Sequence, residues 1–499
     1  MILIQIFNIQ IIKNIEFSRI SRKLVFGVDS SIKLIFKMEK NILNFRKSLM
    51  LVFLTVIKGC GISAQENHPN IVFILADDAT NWDIGSYGSK DSQTPNIDKL
   101  ADEGLQFNRC YQAAPMCSPT RHNIYTGMYP LKTGAYPNHT FAKEGTKSIV
   151  HYLEPLGYRV AFAGKRHIAP KEVFPFEYLD NGGLNFNAVE EFLQEVNESG
   201  NSFALMINSH EPHLPWNKGD VSLFDPDKIT LPPNFVDTRE TREAYVRYLA
   251  EINYLDGQVG KTLEILEKYG FNENTLVVFA SEQGSAFPFS KWTLYEAGVK
   301  SALIARMPGI IEPGTETDAI VEYTDLLPTF IDLAGGQISD NLDGKSIVPL
   351  FMDTNEEIKK YSYSIQTTRG VGRGSEYYGI RAIVSDKYRY IWNLTPEAEF
   401  KNNVNNGGKA GGQWYPSWEK EAENNPFAES LIVKYKKRPQ EELYDVINDK
   451  WCMNNLADDS QYEEIKSELR RELLNWMEEC GDKGHETELE AREHMPGRQ

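Results

Sequence analysis

Five short stretches of this chain carry side chains that a packed core does not require: Asp77-Asp78, Cys117-Ser118-Pro119-Thr120-Arg121, Gly164-Lys165-Arg166-His167, His210-Glu211-Pro212-His213 and Glu282-Gln283-Gly284. Adjacent carboxylates suit a hard divalent cation, which takes oxygen ligands and offsets their mutual repulsion. Taken alone, the Asp77-Asp78 pair is equally a turn or a helix cap. Singly, Cys117 reads as a buried apolar thiol, and the run around Lys165 as a surface basic cluster. Their placement argues for more. Four of the stretches each follow a short apolar run rich in β-branched residues: Ile71-Val72-Phe73-Ile74-Leu75, Val160-Ala161-Phe162-Ala163, Phe203-Ala204-Leu205-Met206-Ile207 and Leu276-Val277-Val278-Phe279-Ala280.

Continuous apolar runs separated by helical stretches predict a mainly parallel α/β sheet covered by helices on both faces. Such sheets bind ligands beyond the carboxyl ends of their strands. The polar clusters then converge on one edge. Between the strands, Thr94-Pro95 predicts a capped helix start with proline at the first helical position and a stop at Gly104. An amphipathic stretch runs from about Thr238 to Tyr269 and ends at Gly270. After Asp353 the pattern changes. Residues 378–384 and 387–392 read as neighbouring strands joined by a Ser385-Asp386 turn, the Asn/Gly-rich stretch 402–412 as a flexible loop, and the acidic stretch 459–479 as a final helix. The expected organisation is a catalytic domain over 67–352 and a smaller C-terminal α+β domain over 353–499.

At 499 residues, 41% hydrophobic and 25% charged, the composition is globular and long enough for one large core and a smaller domain. The formal net charge of −17 argues against a general electrostatic grip on nucleic acid or anionic membrane, so an anionic substrate requires a local basic pocket. At the N-terminus, Lys40, Arg46 and Lys47 precede an apolar run over 49–57 and small residues up to Ala64. This pattern predicts a signal peptide over 38–64 cleaved after Ala64, with 1–37 an upstream mis-start, and hence a secreted or periplasmic protein. The run is far short of the roughly 20 residues of a membrane span, and Lys58 before Gly59-Cys60 fits a lipoprotein badly. Cys110, Cys117, Cys452 and Cys480 remain in the mature chain, too few for a disulfide scaffold, although Cys452 and Cys480 are candidates to pair.

Cys117-Ser118-Pro119-Thr120-Arg121, followed by Thr126-Gly127, resembles the Cys-x-Pro-x-Arg signature of the type I sulfatases. The resemblance implies an alkaline-phosphatase-like fold. It also implies that a separate maturation enzyme oxidises Cys117 to formylglycine, an aldehyde hydrated in the site. One geminal hydroxyl attacks sulfur and the other later expels sulfate, which an ordinary serine could not do. The same likeness assigns Asp77, Asp78, residue 117, Glu282 and Gln283 to a divalent cation, calcium or else magnesium, for which oxygen ligands are suited. Here the chain departs from the family's Asp-Asn or Asp-His pair: Glu282 and Gln283 keep the ligand types but are one methylene longer. Gly164-Lys165-Arg166-His167 is similar to the family's Gly-Lys-x-His, implying Lys165 as a sulfate ligand and His167 as the base when sulfate leaves. His210-Glu211-Pro212-His213 is similar to His-x-Pro-His, implying His213 as the general acid for the leaving alkoxide. Arg121 and Lys291 complete the implied anion clamp, and His139, Arg166 and Trp216 line the sugar pocket, Trp216 being equally a packing residue.

The likeness runs from about Pro69 to Ala457, closing on Glu442-Leu443-Tyr444-Asp445 and Asn455-Leu456-Ala457, and leans toward sulfamidase-like and bacterial polysaccharide sulfatases. The expected substrate is a sulfated glycan: an algal polysaccharide such as ulvan or carrageenan, or a glycosaminoglycan. Two other readings stand beside it. The fold also hosts phosphonate and phosphodiester hydrolases, which often carry further metal ligands, whereas this chain clusters one metal's worth of carboxylates. An inactive glycan-binding homologue draws support from Glu282-Gln283 alone.

Overall fold

The computed structural model describes residues 68–408, 412 and 414–495, within one compact unit that begins at His68. The expected leader and signal segment, with Cys60 and Ala64, lie outside the described residues.

An eight-stranded sheet forms the centre. Its strands are β1 (Asn70–Ala76), β2 (Leu105–Phe107), β3 (Arg159–Gly164), β4 (Glu177–Tyr178), β5 (Phe203–Asn208), β6 (Thr275–Ser281), β7 (Leu303–Arg306) and β8 (Thr315–Thr317), in the order β8-β2-β7-β6-β1-β5-β3-β4. The pairs of β1 with β5 and β6, of β3 with β4 and β5, and of β2 with β8 are parallel; β7 runs antiparallel to β2 and β6. Alternation along β1 shows why the apolar runs are continuous. Ile71, Phe73 and Leu75 face α2 (Cys117–Thr126) and α5 (Leu326–Leu333) in one core. Val72 and Ile74 face α1 (Pro95–Asp102), α3 (Phe186–Ser199) and α4 (Arg239–Lys268) in the other. Both faces of the strand are buried, so both positions of the two-residue period are apolar.

α4 starts on the Thr238 side chain, which accepts from the Thr241 N–H, and Gly270 follows its end with φ of 74°. α1 begins at Pro95 as the sequence indicates, but Thr94 makes no side-chain cap. Its hydroxyl instead accepts from Gly85 N at 2.8 Å and donates to Asp98 at 3.0 Å, tying the preceding turn to the helix.

A four-stranded antiparallel sheet, β9 (Ser362–Thr367), β10 (Gly379–Val384), β11 (Tyr388–Asn393) and β12 (Glu441–Asp445), follows with α6 (Glu463–Glu479). This layer shares a core with the large sheet's loops: Tyr378 and Ile380 lie in one apolar cluster with Trp216, Tyr248 and Phe287. Two expectations are corrected here. Cys452 and Cys480 are both free, and they sit in different apolar clusters. The described part of 402–412 is partly buried and held by its asparagines: Asn402 donates to Tyr435 at 2.7 Å and Asn405 to the Phe400 carbonyl at 2.9 Å.

Candidate active site

Parallel register brings the polar clusters to one edge. Leu75 pairs with Asn208 and Ala280, and Gly164 with Asn208, so the residues just beyond β1, β3, β5 and β6 emerge side by side. Gly164, with φ of 89°, allows the approach: a Cβ there would stand 1.9 Å from the Asn208 carbonyl oxygen. Beyond the strands the backbone is strained. Asp78, His139 and His167 have φ of 67°, 56° and 51°, and Phe289 and Trp292, at 64° and 65°, bracket Lys291. Left-handed non-glycine residues persist where surrounding structure over-determines them, and they gather at functional sites.

Cys117 opens α2, its thiol buried at the positive end of the helix dipole. Sγ lies 3.5 Å from Asp77 and 3.9 Å from Asp78, accepts from Gln283 Nε2 at 3.1 Å, and is 3.3 Å from Lys291 Nζ. Around it, three buried carboxylates meet three cations. Lys165 reaches Asp77, Lys291 is 2.6 Å from Asp78, and Arg121 Nε is 2.6 Å from Glu282. Arg121 also donates to Asn208 and to the Lys165 carbonyl, each at 2.8 Å.

The charge states follow from burial and neighbours. Burial opposes ionisation of Asp77, but Lys165, His213, Glu282 and Arg121 together hold it well below the usual carboxylate range. Burial pushes Glu282 up to about 8, with Arg121 opposing and Asp77 adding to the rise. The Cys117 thiol is pushed well above its ordinary value by burial and then by Glu282, so it stays protonated and is a weak nucleophile as it stands.

Whether a cation fits can be tested on the donors present. Oxygens of Asp77, Asp78 and Glu282 and the Cys117 sulfur all lie within 4.8 Å of one another. Gln283 Oε1 is buried without a hydrogen-bond partner, an orphan acceptor beside this set. Hard oxygen donors of this kind suit calcium or magnesium, and the longer Glu282 and Gln283 still reach the same locus.

Histidines ring the cluster. His213 Nδ1 is 2.6 Å from the Leu214 carbonyl, which assigns its proton there and leaves Nε2 facing Asp78 at 3.7 Å. Burial and then Lys291 lower its pKa. His167 Nε2 meets His139 Nδ1 at 2.9 Å, and burial, then Lys165, depresses His167 to about 2, keeping it neutral.

The edge thus gathers Asp77, Asp78, Cys117, Arg121, Lys165, Glu282, Gln283, Lys291 and His213, with His167 and His139 alongside. Arg166 and Trp216 are placed otherwise. Arg166 donates to the Asp180 carbonyl and lies over the Tyr178 ring at 4.3 Å. Trp216 stacks on Phe287 at 5.0 Å and donates to the Pro212 carbonyl, contacts that fit the packing alternative the sequence left open. Asn208 had no role assigned from sequence. It orients Arg121 and accepts from Tyr125 at 2.6 Å, and its position at the end of an apolar run was the available signal.

The chain resembles known proteins over most of its described length. The profile of a family described as sulfatase matches residues 69–336, and one described as N-sulphoglucosamine sulphohydrolase, C-terminal, matches 284–400. An ulvan-active sulfatase of Formosa agariphila is 30% identical over 433 residues, 84% of this chain and 82% of that protein. Human N-sulphoglucosamine sulphohydrolase is 24% identical, covering 83% and 90%. Among solved structures, the yidJ protein of Bacteroides fragilis superposes with a TM-score of 0.67 at 19% identity over 86% of this chain and 99% of that one, a likeness of fold.

Proposed function

The chain belongs to the sulfatase family, and from that premise we propose that it hydrolyses sulfate esters of an extracellular glycan at residue 117, with ulvan the first substrate to try. The observation that carries the reading is the juxtaposition of Cys117, at the start of α2, with three carboxylates and three cations at the sheet edge. Ulvan is the substrate named for the Formosa agariphila relative; the human relative, named for N-sulphoglucosamine, supports the wider class of sulfated sugars.

Matured to formylglycine by a separate enzyme, residue 117 supplies the paired hydroxyls that its buried, protonated thiol lacks. Asp77, Asp78, Glu282, Gln283 and residue 117 would hold a divalent cation, which would supply charge stabilisation at sulfur. The chain's own residues do the rest. Lys165, Lys291 and Arg121 hold sulfuryl oxygens and meet the charge that develops there. His213 keeps its first proton on Nδ1, takes up a second at Nε2 from solvent when substrate binds and delivers that one to the departing sugar oxygen, and neutral His167 takes one from residue 117 as sulfate leaves. His139 orients the His167 ring. Secretion to the periplasm or beyond accords with the N-terminal pattern and with a polymeric substrate; no helix of the described residues is long and apolar enough to cross a membrane.

The class is tested by producing the chain with a maturation enzyme and measuring sulfate released from ulvan, carrageenan and glycosaminoglycans, beside a phosphonate monoester and a phosphodiester. Sulfate release is expected. Cleavage of the phosphorus esters with every sulfated glycan untouched would overturn the reading.

A further inference from the structure

Four residues past Asp78 the chain enters a cleft that the catalytic chemistry does not use. It has a volume of about 260 Å³ and is lined by Trp82, Lys90, Pro232, Tyr245, Lys450 and Trp451 among others. At about 30 Å³ per water, that is the space of eight or nine waters, enough for one sugar ring. The two half-buried indoles meet edge to face, with centroids 4.7 Å apart. Lys450 Nζ lies 4.9 Å from the Trp82 ring and 5.3 Å from that of Trp451. Lys90 and Lys450 are both exposed, and no described carboxylate stands within ion-pairing distance of either. The walls are fixed from below and across: Tyr245 donates to the buried Asp83 at 2.5 Å, and Asp91 accepts from Thr230 N at 2.8 Å, joining two loops.

Packing alone accounts poorly for this arrangement. A lysine over an exposed indole gains only about 0.5–1 kcal/mol, while two tryptophans left half open keep apolar surface in water. Indole faces beside unpaired ammonium groups match the apolar face and anionic substituent of an acidic sugar. We propose that this cleft is a second binding site for an anionic sugar unit of the glycan, with Trp82 and Trp451 receiving the ring and Lys90 and Lys450 its sulfate or carboxylate. The proposal rests on the glycan reading above. Segment 78–83 links the two sites along the chain: Asp78 belongs to the catalytic cluster, Thr80 N donates to the Tyr248 hydroxyl at 3.0 Å, and Trp82 lines the cleft.

Binding is read with the Cys117→Ala chain by affinity electrophoresis in gels containing ulvan, desulfated ulvan, dextran sulfate or neutral dextran. Ulvan is expected to retard the chain, and adding Trp451→Ala or Lys450→Ala to raise the apparent dissociation constant about fivefold to tenfold, the loss of one anchor. Retardation by dextran sulfate alone among the other gels assigns the lysines to sulfate; retardation by desulfated ulvan alone assigns them to carboxylate. No retardation by ulvan, equal retardation in dextran, or retardation that neither substitution changes overturns the site. Matured Trp451→Ala should retain the parent turnover of a small aryl sulfate. Ulvan binding through the cleft, with no sulfate released from any of the sulfated glycans and the phosphorus esters cleaved instead, would sink the catalytic reading and leave the cleft standing, and the converse result would do the reverse.

Discussion

Arg121 and Arg381 are both fully buried, each among carboxylates, yet the two regions they occupy differ in how far they are closed. In the C-terminal layer Arg381 grips Asp482 through Nε and, at 3.0 Å, through Nη2, while Nη1 donates to Glu488 at 3.0 Å and to the Ile380 carbonyl at 3.1 Å. All three of its nitrogens are used by the fold, and of the oxygens of its two carboxylate partners Glu488 Oε2 is the one buried without a hydrogen bond. At the sheet edge Arg121 Nη2 lies 3.9 Å from Asp77, short of a hydrogen bond, and Ser118 Oγ, Asn208 Nδ2 and Gln283 Oε1 are buried without partners nearby in sequence or in the cluster. Low-dielectric surroundings penalise unpaired polar groups. A cluster that keeps them is arranged for something that folding does not supply, here a cation and an anion.

If that contrast holds, substitutions in the two regions separate chemistry from stability. The largest expected effect is on turnover: His213→Ala should lower kcat on a sulfated sugar by about 10²–10⁴, and far less on an aryl sulfate whose leaving group needs no proton. Equal losses on both substrates would remove His213 as the acid. Arg381→Met leaves Asp482 and Glu488 uncompensated, so denaturant unfolding should show a loss of about 3–5 kcal/mol, with kcat of the folded protein unchanged. A matching fall in kcat would show that the regions are not independent. Smallest is the effect of calcium, which at about 100 times its Kd should raise the unfolding free energy by about 2.7 kcal/mol. That gain should vanish in Asp78→Asn and persist in Arg381→Met; its persistence in Asp78→Asn would place the ion elsewhere.

Much of this was legible in sequence where one physical rule dominated. A strand buried on both faces must be apolar throughout, so β1, β3, β5 and β6 were visible as runs and their polar ends as a shared edge. The C-terminal hairpin of β10 and β11 was visible through its turn. What tertiary contacts decide was not visible. Thr94 gave its hydroxyl to Gly85 N and the Asp98 side chain rather than to a backbone N–H of its helix, and Trp216 found Phe287 across the chain. The Asn-rich stretch reads as polar and loose, yet Asn402 and Asn405 satisfy buried partners. Nor does any local pattern announce that the C-terminal layer's apolar cluster takes in Trp216 and Phe287.

The most direct test pairs Cys117→Ala with the unaltered chain, both produced with the maturation enzyme, measuring sulfate release from ulvan and thermal unfolding side by side. Alanine at 117 gives up the sulfur's contacts to Gln283 and Lys291 but keeps a small buried side chain and the carboxylate–cation pairs around it, so release should fall to background while the unfolding midpoint moves by about 2–4 °C, the shift of about 1 kcal/mol. Sulfate release that survives in Cys117→Ala would contradict the assignment of catalysis to this residue.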